Sequence, residues 1–228
     1  MKIEKLKISI CVPIQATTQK EAKKAMKEIA GKADMAELWL DYIKDLDIAD
    51  LLKNKPLPVL CVCKMPAEKG KFRGTRAQAV DLLVKAAEFG AEYIDISHSS
   101  YSNQKSQIRN HKSTLILSYH NFTKTPPLTT LIKKAEAMRH AGADIIKIAV
   151  MPKSLKDTVS IIMLAKHLES KKIPHILIAM GKMGALSRIL TPTLGGTIMF
   201  APLSTSKTSA PGQLTVKELK EAWNLIDK

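Results

Sequence analysis

Lys147 stands inside an apolar run, Asp144-Ile145-Ile146-Lys147-Ile148-Ala149-Val150, whose branched side chains read as a strand buried on both faces. An ammonium there is costly unless it is paired or gives up its proton. A lysine that holds its proton loosely is what imine chemistry needs, because only the neutral amine attacks a carbonyl. The plainer alternative is a strand-end lysine that snorkels to water, and this strand alone does not choose between them. A second run shifts the balance. Leu115-Ile116-Leu117-Ser118-Tyr119-His120 delivers a histidine at its C-terminal end, so a nucleophile and a proton carrier sit at matching ends of two strands.

Other polar residues occupy the same ends. In chain order they are Glu37, Trp39 and Asp41, then Lys64, Asp95, His120, Lys147 and Met180, with Ser209 and Gln213 in the loop after the last strand. Period two puts Glu37, Trp39 and Asp41 on one face, where buried acids want basic or hydroxyl partners. Each alone reads as a structural ion pair or a polar plug. Gathered at one end of a fold, they read as a site.

The elements that must position them are apolar segments at Ile8–Ile14, Met35–Asp41, Val59–Lys64, Tyr93–His98, Leu115–His120, Ile145–Val150, His175–Met180 and Thr197–Pro202. Segments with helical spacing lie between most of them, among them Thr18–Ile29, Arg76–Phe89, Leu128–His140 and Leu155–Ser170, and Val216–Ile226 forms the last helix. Strands alternating with helices predict βαβ units and a parallel sheet. Two helix-to-strand junctions nearly repeat, Phe89-Gly90-Ala91-Glu92 and Ala141-Gly142-Ala143-Asp144, each with a glycine suited to closing a helix in the left-handed conformation. Eight such units in 228 residues predict an α/β fold, a single (β/α)8 TIM barrel with lean loops, spanning residues 1–228 as one catalytic domain. A doubly wound sheet is the alternative. It usually carries a glycine-rich phosphate turn after the first strand, where this chain has Pro13-Ile14-Gln15-Ala16-Thr17. Gly195-Gly196 reads as a tight turn rather than a phosphate cradle.

Thirty-six Lys and Arg against 21 Asp and Glu give a formal net charge of +15. The lysines come singly or in pairs on helical segments, where a solvated outer face is the ordinary reading. Ten aromatic residues form no basic-aromatic stripe, so no nucleic-acid partner is expected. Cys11, Cys61 and Cys63 lie in apolar runs and read as small hydrophobes in a reduced core, neither a disulfide framework nor a zinc site. Met1-Lys2-Ile3-Glu4-Lys5-Leu6-Lys7 lacks the apolar stretch of a signal peptide, and no apolar run approaches a membrane span. A cytoplasmic protein with no membrane partner is expected.

The sequence resembles the type I 3-dehydroquinate dehydratases of the shikimate pathway, along nearly its whole length. The resemblance rests on Glu37-Leu38-Trp39-Leu40-Asp41, Lys64-Met65-Pro66-Ala67-Glu68, Ser118-Tyr119-His120-Asn121-Phe122 and Lys147 followed by Val150-Met151-Pro152. It rests also on Met180-Gly181-Lys182-Met183-Gly184-Ala185-Leu186-Ser187-Arg188 and Ser209-Ala210-Pro211-Gly212-Gln213. It implies that Lys147 is the Schiff-base lysine, His120 the proton-transfer residue and Glu68 the acid that orients His120. It implies that Arg188, Ser209 and Gln213 bind the substrate carboxylate, and that Glu37, Trp39 and Lys64 lie near the ring hydroxyls. Trp39 and Lys64 stand where relatives usually carry arginine, and Ser97 replaces an acid. Tryptophan loses the charge and lysine loses the bidentate fork.

The implied activity is loss of water from 3-dehydroquinate, a lyase reaction in aromatic amino acid biosynthesis. A lysine imine supplies the electron sink for the carbanion beside the ketone. No metal, flavin or nucleotide is called for, so no cofactor is expected. The expected partner is the small-molecule substrate, with a homodimer left open. Two rivals remain: another Schiff-base barrel of the class I aldolase type, which should bind phosphate, and a catalytically silent barrel acting as a binding protein.

Overall fold

The computed structural model describes residues 8–101, 108, 110–204 and 213–226. Its strands are β1 (Ser9–Ile14), β2 (Met35–Trp39), β3 (Val59–Val62), β4 (Tyr93–Ser97), β5 (Thr114–Asn121), β6 (Ile145–Val150), β7 (His175–Ala179) and β8 (Ile198–Phe200). All eight belong to one sheet in the order β7-β6-β5-β4-β3-β2-β1-β8. β8 pairs in parallel with β1, and a bridge between His175 and Gly196 links its approach to β7. The result is a nearly closed barrel with helices between strands, the (β/α)8 arrangement expected from the sequence. The described helices are α1 (Gln19–Ile29), α2 (Ile48–Leu52), α3 (Arg76–Glu88), α4 (Leu128–His140), α5 (Leu155–Ser170), α6 (Ala185–Thr193) and α7 (Val216–Ile226).

The described residues fall into two compact units. One holds Val12–Ser118 with Ala141–Asp144; the other holds the residues up to Cys11, Tyr119–His140 and Ile145 onward. Within the first, the near-repeated junctions prove to be one device used twice. Gly90 and Gly142 take φ of 88° and 101°, closing their helices in the left-handed region. The acid that follows turns to a neighbouring strand: Glu92 accepts the amide of Val59 at 2.8 Å, and Asp144 that of Leu115 at 2.9 Å. Each satisfies a strand-start N–H that would otherwise be orphaned.

Helix starts are equally explicit. Thr18 and Thr75 begin α1 and α3 with reciprocal bonds to Glu21 and Gln78, and Thr215 with Glu218 does the same for α7. The longer helices bury an apolar face at three- and four-residue spacing, as with Leu131, Ala135 and Met138 of α4. β3, β6 and β7 are buried throughout, which is why their sequences run apolar without alternation. β2 and β3 are among the strands that stop earlier than their apolar runs suggest. After Trp39 the chain enters a 3-10 turn, Leu40–Tyr42, and after Val62 it leaves the sheet before Lys64. No helix among the described residues is long and apolar enough to cross a membrane.

Candidate active site

In the Val12–Ser118 unit, β2 ends with Glu37 and Trp39, two residues apart and so on one face. The Trp39 indole Nε1 donates to Glu37 Oε2 at 2.8 Å, fixing a carboxylate that is 4% exposed. The indole also meets Tyr42 edge-on, with ring centroids 5.6 Å apart. Asp41 faces differently from the sequence expectation because the strand has ended. Its Oδ1 accepts the Lys64 amide at 3.1 Å and its Oδ2 the Lys71 amide at 2.7 Å. Burial pushes its carboxyl up from the ordinary value, and those two amides pull against that shift.

Lys64 follows β3 and is 3% exposed. Its Nζ lies 2.7 Å from Asp95 Oδ1 and 3.1 Å from Ser118 Oγ, and Ser118 Oγ donates to Asp95 Oδ1 at 2.5 Å. This buried triad joins β3, β4 and β5. The ammonium expected to reach substrate hydroxyls is therefore already held by an internal acid. Glu68 sits half-buried on the 3-10 turn Pro66–Glu68 just beyond. That turn folds back so closely that a Cβ on Gly70 would lie 1.8 Å from the Lys64 carbonyl oxygen. Phe72 N donates to that carbonyl at 3.2 Å, so the close approach is a feature of the loop.

In the other unit, Lys147 lies mid-strand in β6, 5% exposed, with its neighbour Ile176 across the ladder in β7. Its Nζ sits 4.2 Å above the centre of the Phe200 ring. His120 lies half-buried near the end of β5 and stacks parallel on Phe122, centroids 5.8 Å apart. Asn121 pins the turn after it, accepting from the Thr123 and Lys124 amides at 3.0 Å each. Met180 is buried behind β7, its amide donating to Val150 O at 2.8 Å.

Arg188 comes from α6, whose start is held onto the end of β7. Ser187 Oγ donates to Gly184 O at 2.7 Å and accepts the Ala179 amide at 3.0 Å. A Cβ on Gly184 would stand 1.9 Å from Ala179 O. The guanidinium that this seating delivers is 1% exposed, and burial pushes its pKa down to about 10. Its Nη1 reaches Phe200 O at 3.4 Å, while its Nε finds no partner and no acid pairs with it among the described residues. A buried cation without an acid is a standing demand for an anion. Gln213 is half-buried before α7, and Ser209 lies outside the described residues. Phe200, which touches both Lys147 and Arg188, escaped the sequence reading because an aromatic residue in Ile198-Met199-Phe200 looks like ordinary core. No cluster of metal-ligating side chains occurs among the described residues.

The type I 3-dehydroquinase family model matches residues 10–228. The 3-dehydroquinate dehydratase of Desulfotalea psychrophila is 32% identical over 215 residues, covering 92% of this chain and 95% of that protein. The bifunctional chloroplastic 3-dehydroquinate dehydratase/shikimate dehydrogenase of Arabidopsis thaliana is 34% identical over 224 residues, 94% of this chain but 36% of that protein. The crystal structure of the type I 3-dehydroquinate dehydratase of Clostridium difficile, with covalent modified comenic acid, superposes with a TM-score of 0.87 at 26% identity, covering 96% of this chain and 92% of that one. The chain belongs to the type I 3-dehydroquinase family, a family of lyases.

Proposed function

We propose that this chain dehydrates 3-dehydroquinate to 3-dehydroshikimate through an imine on Lys147, with His120 carrying the proton. The carrying observation is the pair of buried basic side chains on Phe200, Lys147 over its ring and Arg188 at its carbonyl. One basic group in an apolar strand suits a nucleophile; the other, without an acid among the described residues, suits the substrate carboxylate. The covalently modified ligand in the Clostridium difficile relative is consistent with covalent chemistry in the family.

The steps follow from the substrate's groups. The neutral Lys147 amine adds to the ketone carbon, and the carbinolamine oxygen leaves as water with one proton taken up from solvent, giving a cationic iminium. His120 takes the proton from the adjacent carbon, and its electrons flow to nitrogen as an enamine. The enamine expels the β-hydroxyl, which leaves as water with the proton from His120. Hydrolysis of the conjugated iminium frees 3-dehydroshikimate and Lys147. Glu68 orients the imidazole and supports its charged form. Arg188, with Ser209 and Gln213, holds the carboxylate and thereby fixes the ring against the nucleophile. Glu37, Trp39 and Lys64 lie near the ring hydroxyls.

Borohydride added during turnover reduces the iminium to a stable secondary amine. The expected product is one substrate-derived adduct per chain on the peptide containing Lys147, absent in Lys147→Ala together with nearly all turnover. An adduct on Lys64 or Lys182 would show a different nucleophile.

A further inference from the structure

Phe200 closes β8 with its backbone fixed. It pairs with Cys11 of β1, the next amide, Ala201 N, donates to Cys11 O at 3.0 Å, and the side chain is 4% exposed. Two groups of this one residue serve two different basic side chains. The ring face meets Lys147 Nζ at 4.2 Å, and the carbonyl oxygen accepts from Arg188 Nη1 at 3.4 Å. The reach between nucleophile and guanidinium is thus set by a single strand end.

The ring does more than fill space. An aromatic face carries negative charge density and favours a cation above it, the more so where water is excluded. During the reaction the Lys147 nitrogen alternates between the cationic iminium and the neutral enamine. A ring beneath that nitrogen favours the first over the second without offering a proton acceptor that would compete with His120. A carboxylate in its place would stabilise the cation too, but would hold the lysine protonated before attack.

We propose that Phe200 is a positioning residue of the reaction, holding the Lys147 nitrogen over its ring and raising the population of the iminium. The inference rests on the imine reading above. Phe200→Leu keeps an apolar side chain and removes the ring. Site-specific replacement by 3,4,5-trifluorophenylalanine keeps the shape and withdraws charge from the ring face. Each protein is mixed with saturating 3-dehydroquinate, quenched with borohydride and weighed intact, with kcat and KM measured alongside.

Both variants should trap less adduct and lose about 10-fold in kcat, with a smaller change in KM, and Phe200→Tyr should recover most of what leucine loses. If Phe200→Leu does not fold, the fluorinated protein decides alone. A fluorinated protein that traps and turns over as wild type overturns the proposal while leaving the imine intact. A wild-type chain that traps nothing overturns the imine reading, and this inference with it.

Discussion

Trp39 spends its one hydrogen-bond donor on Glu37, two residues earlier on the same strand, at 2.8 Å. At this position the chain gives the buried carboxylate a neutral donor. That bond orients the carboxylate without adding a charge of its own.

Trp39→Phe keeps an aromatic ring against Tyr42 and removes the donor. Loss of a hydrogen bond to a buried charged group should cost about 1–3 kcal/mol of stability, read in denaturant unfolding, with a rise in KM larger than the fall in kcat. Trp39→Arg should lower kcat/KM or destabilise the fold, because its charge enters a space shaped for an indole. Unchanged stability and KM in Trp39→Phe would show that Glu37 does not depend on the indole.

Lys64→Met should destabilise the chain by about 3–5 kcal/mol, since the fully buried Asp95 loses the cation 2.7 Å away. Pairing it with Asp95→Leu should restore much of that loss, because both charges are then gone. Lys64→Arg keeps the charge for Asp95 and should preserve or improve kcat/KM. A Lys64→Arg chain that folds but is inactive would assign Lys64 a chemical role.

Arg188 should trade stability for binding. Its pKa of about 10 lies below the ordinary 12.5, so the folded chain carries a penalty wherever the group is charged in both states. That interval corresponds to about 3 kcal/mol, present below pH 10 and relieved as pH rises toward 12.5. Arg188→Met should therefore raise the melting temperature while weakening substrate binding by orders of magnitude. A less stable Arg188→Met would show that the guanidinium is better compensated than its burial implies.

His175 should make the fold acid-sensitive. It is wholly buried, its Nδ1–H donates to Ile173 O at 2.8 Å, and burial holds its pKa below the ordinary 6.5. The unfolded chain therefore binds the proton first, and stability falls as pH drops from 6.5 toward the lower native value. Unfolding midpoints of His175→Gln, measured against pH, should lose that part of the slope even if the variant is weaker throughout.

The sequence made the strands legible because a parallel sheet covered on both faces needs unbroken apolar runs, and β6 and β7 are such runs. It made Lys147 conspicuous for the same reason. Asp41 was misjudged because its partners, the amides of Lys64 and Lys71, lie 23 and 30 residues away, and period two stops applying once the strand ends. The pairing of Lys64 with Asp95 and Ser118 is not legible in the sequence, because it exists only after three strands align. That no acid pairs with Arg188 among the described residues is likewise a matter of tertiary packing, which no local pattern encodes.

Gly70 and Gly184 share a property that will surface in mutational data before it does in enzymology. Each is a place where a single methyl group would strike the backbone oxygen of a residue at or just past a strand end, Lys64 in one case and Ala179 in the other. Under saturation mutagenesis both positions should reject every side chain, alanine included, and score as harshly as Lys147 although neither holds a functional group. A map of intolerant positions in this chain would thus mark two loop hinges as if they were chemistry. Soluble yield, measured beside growth or activity, would separate them: the Lys147 variants should accumulate as folded protein, and the glycine variants should not.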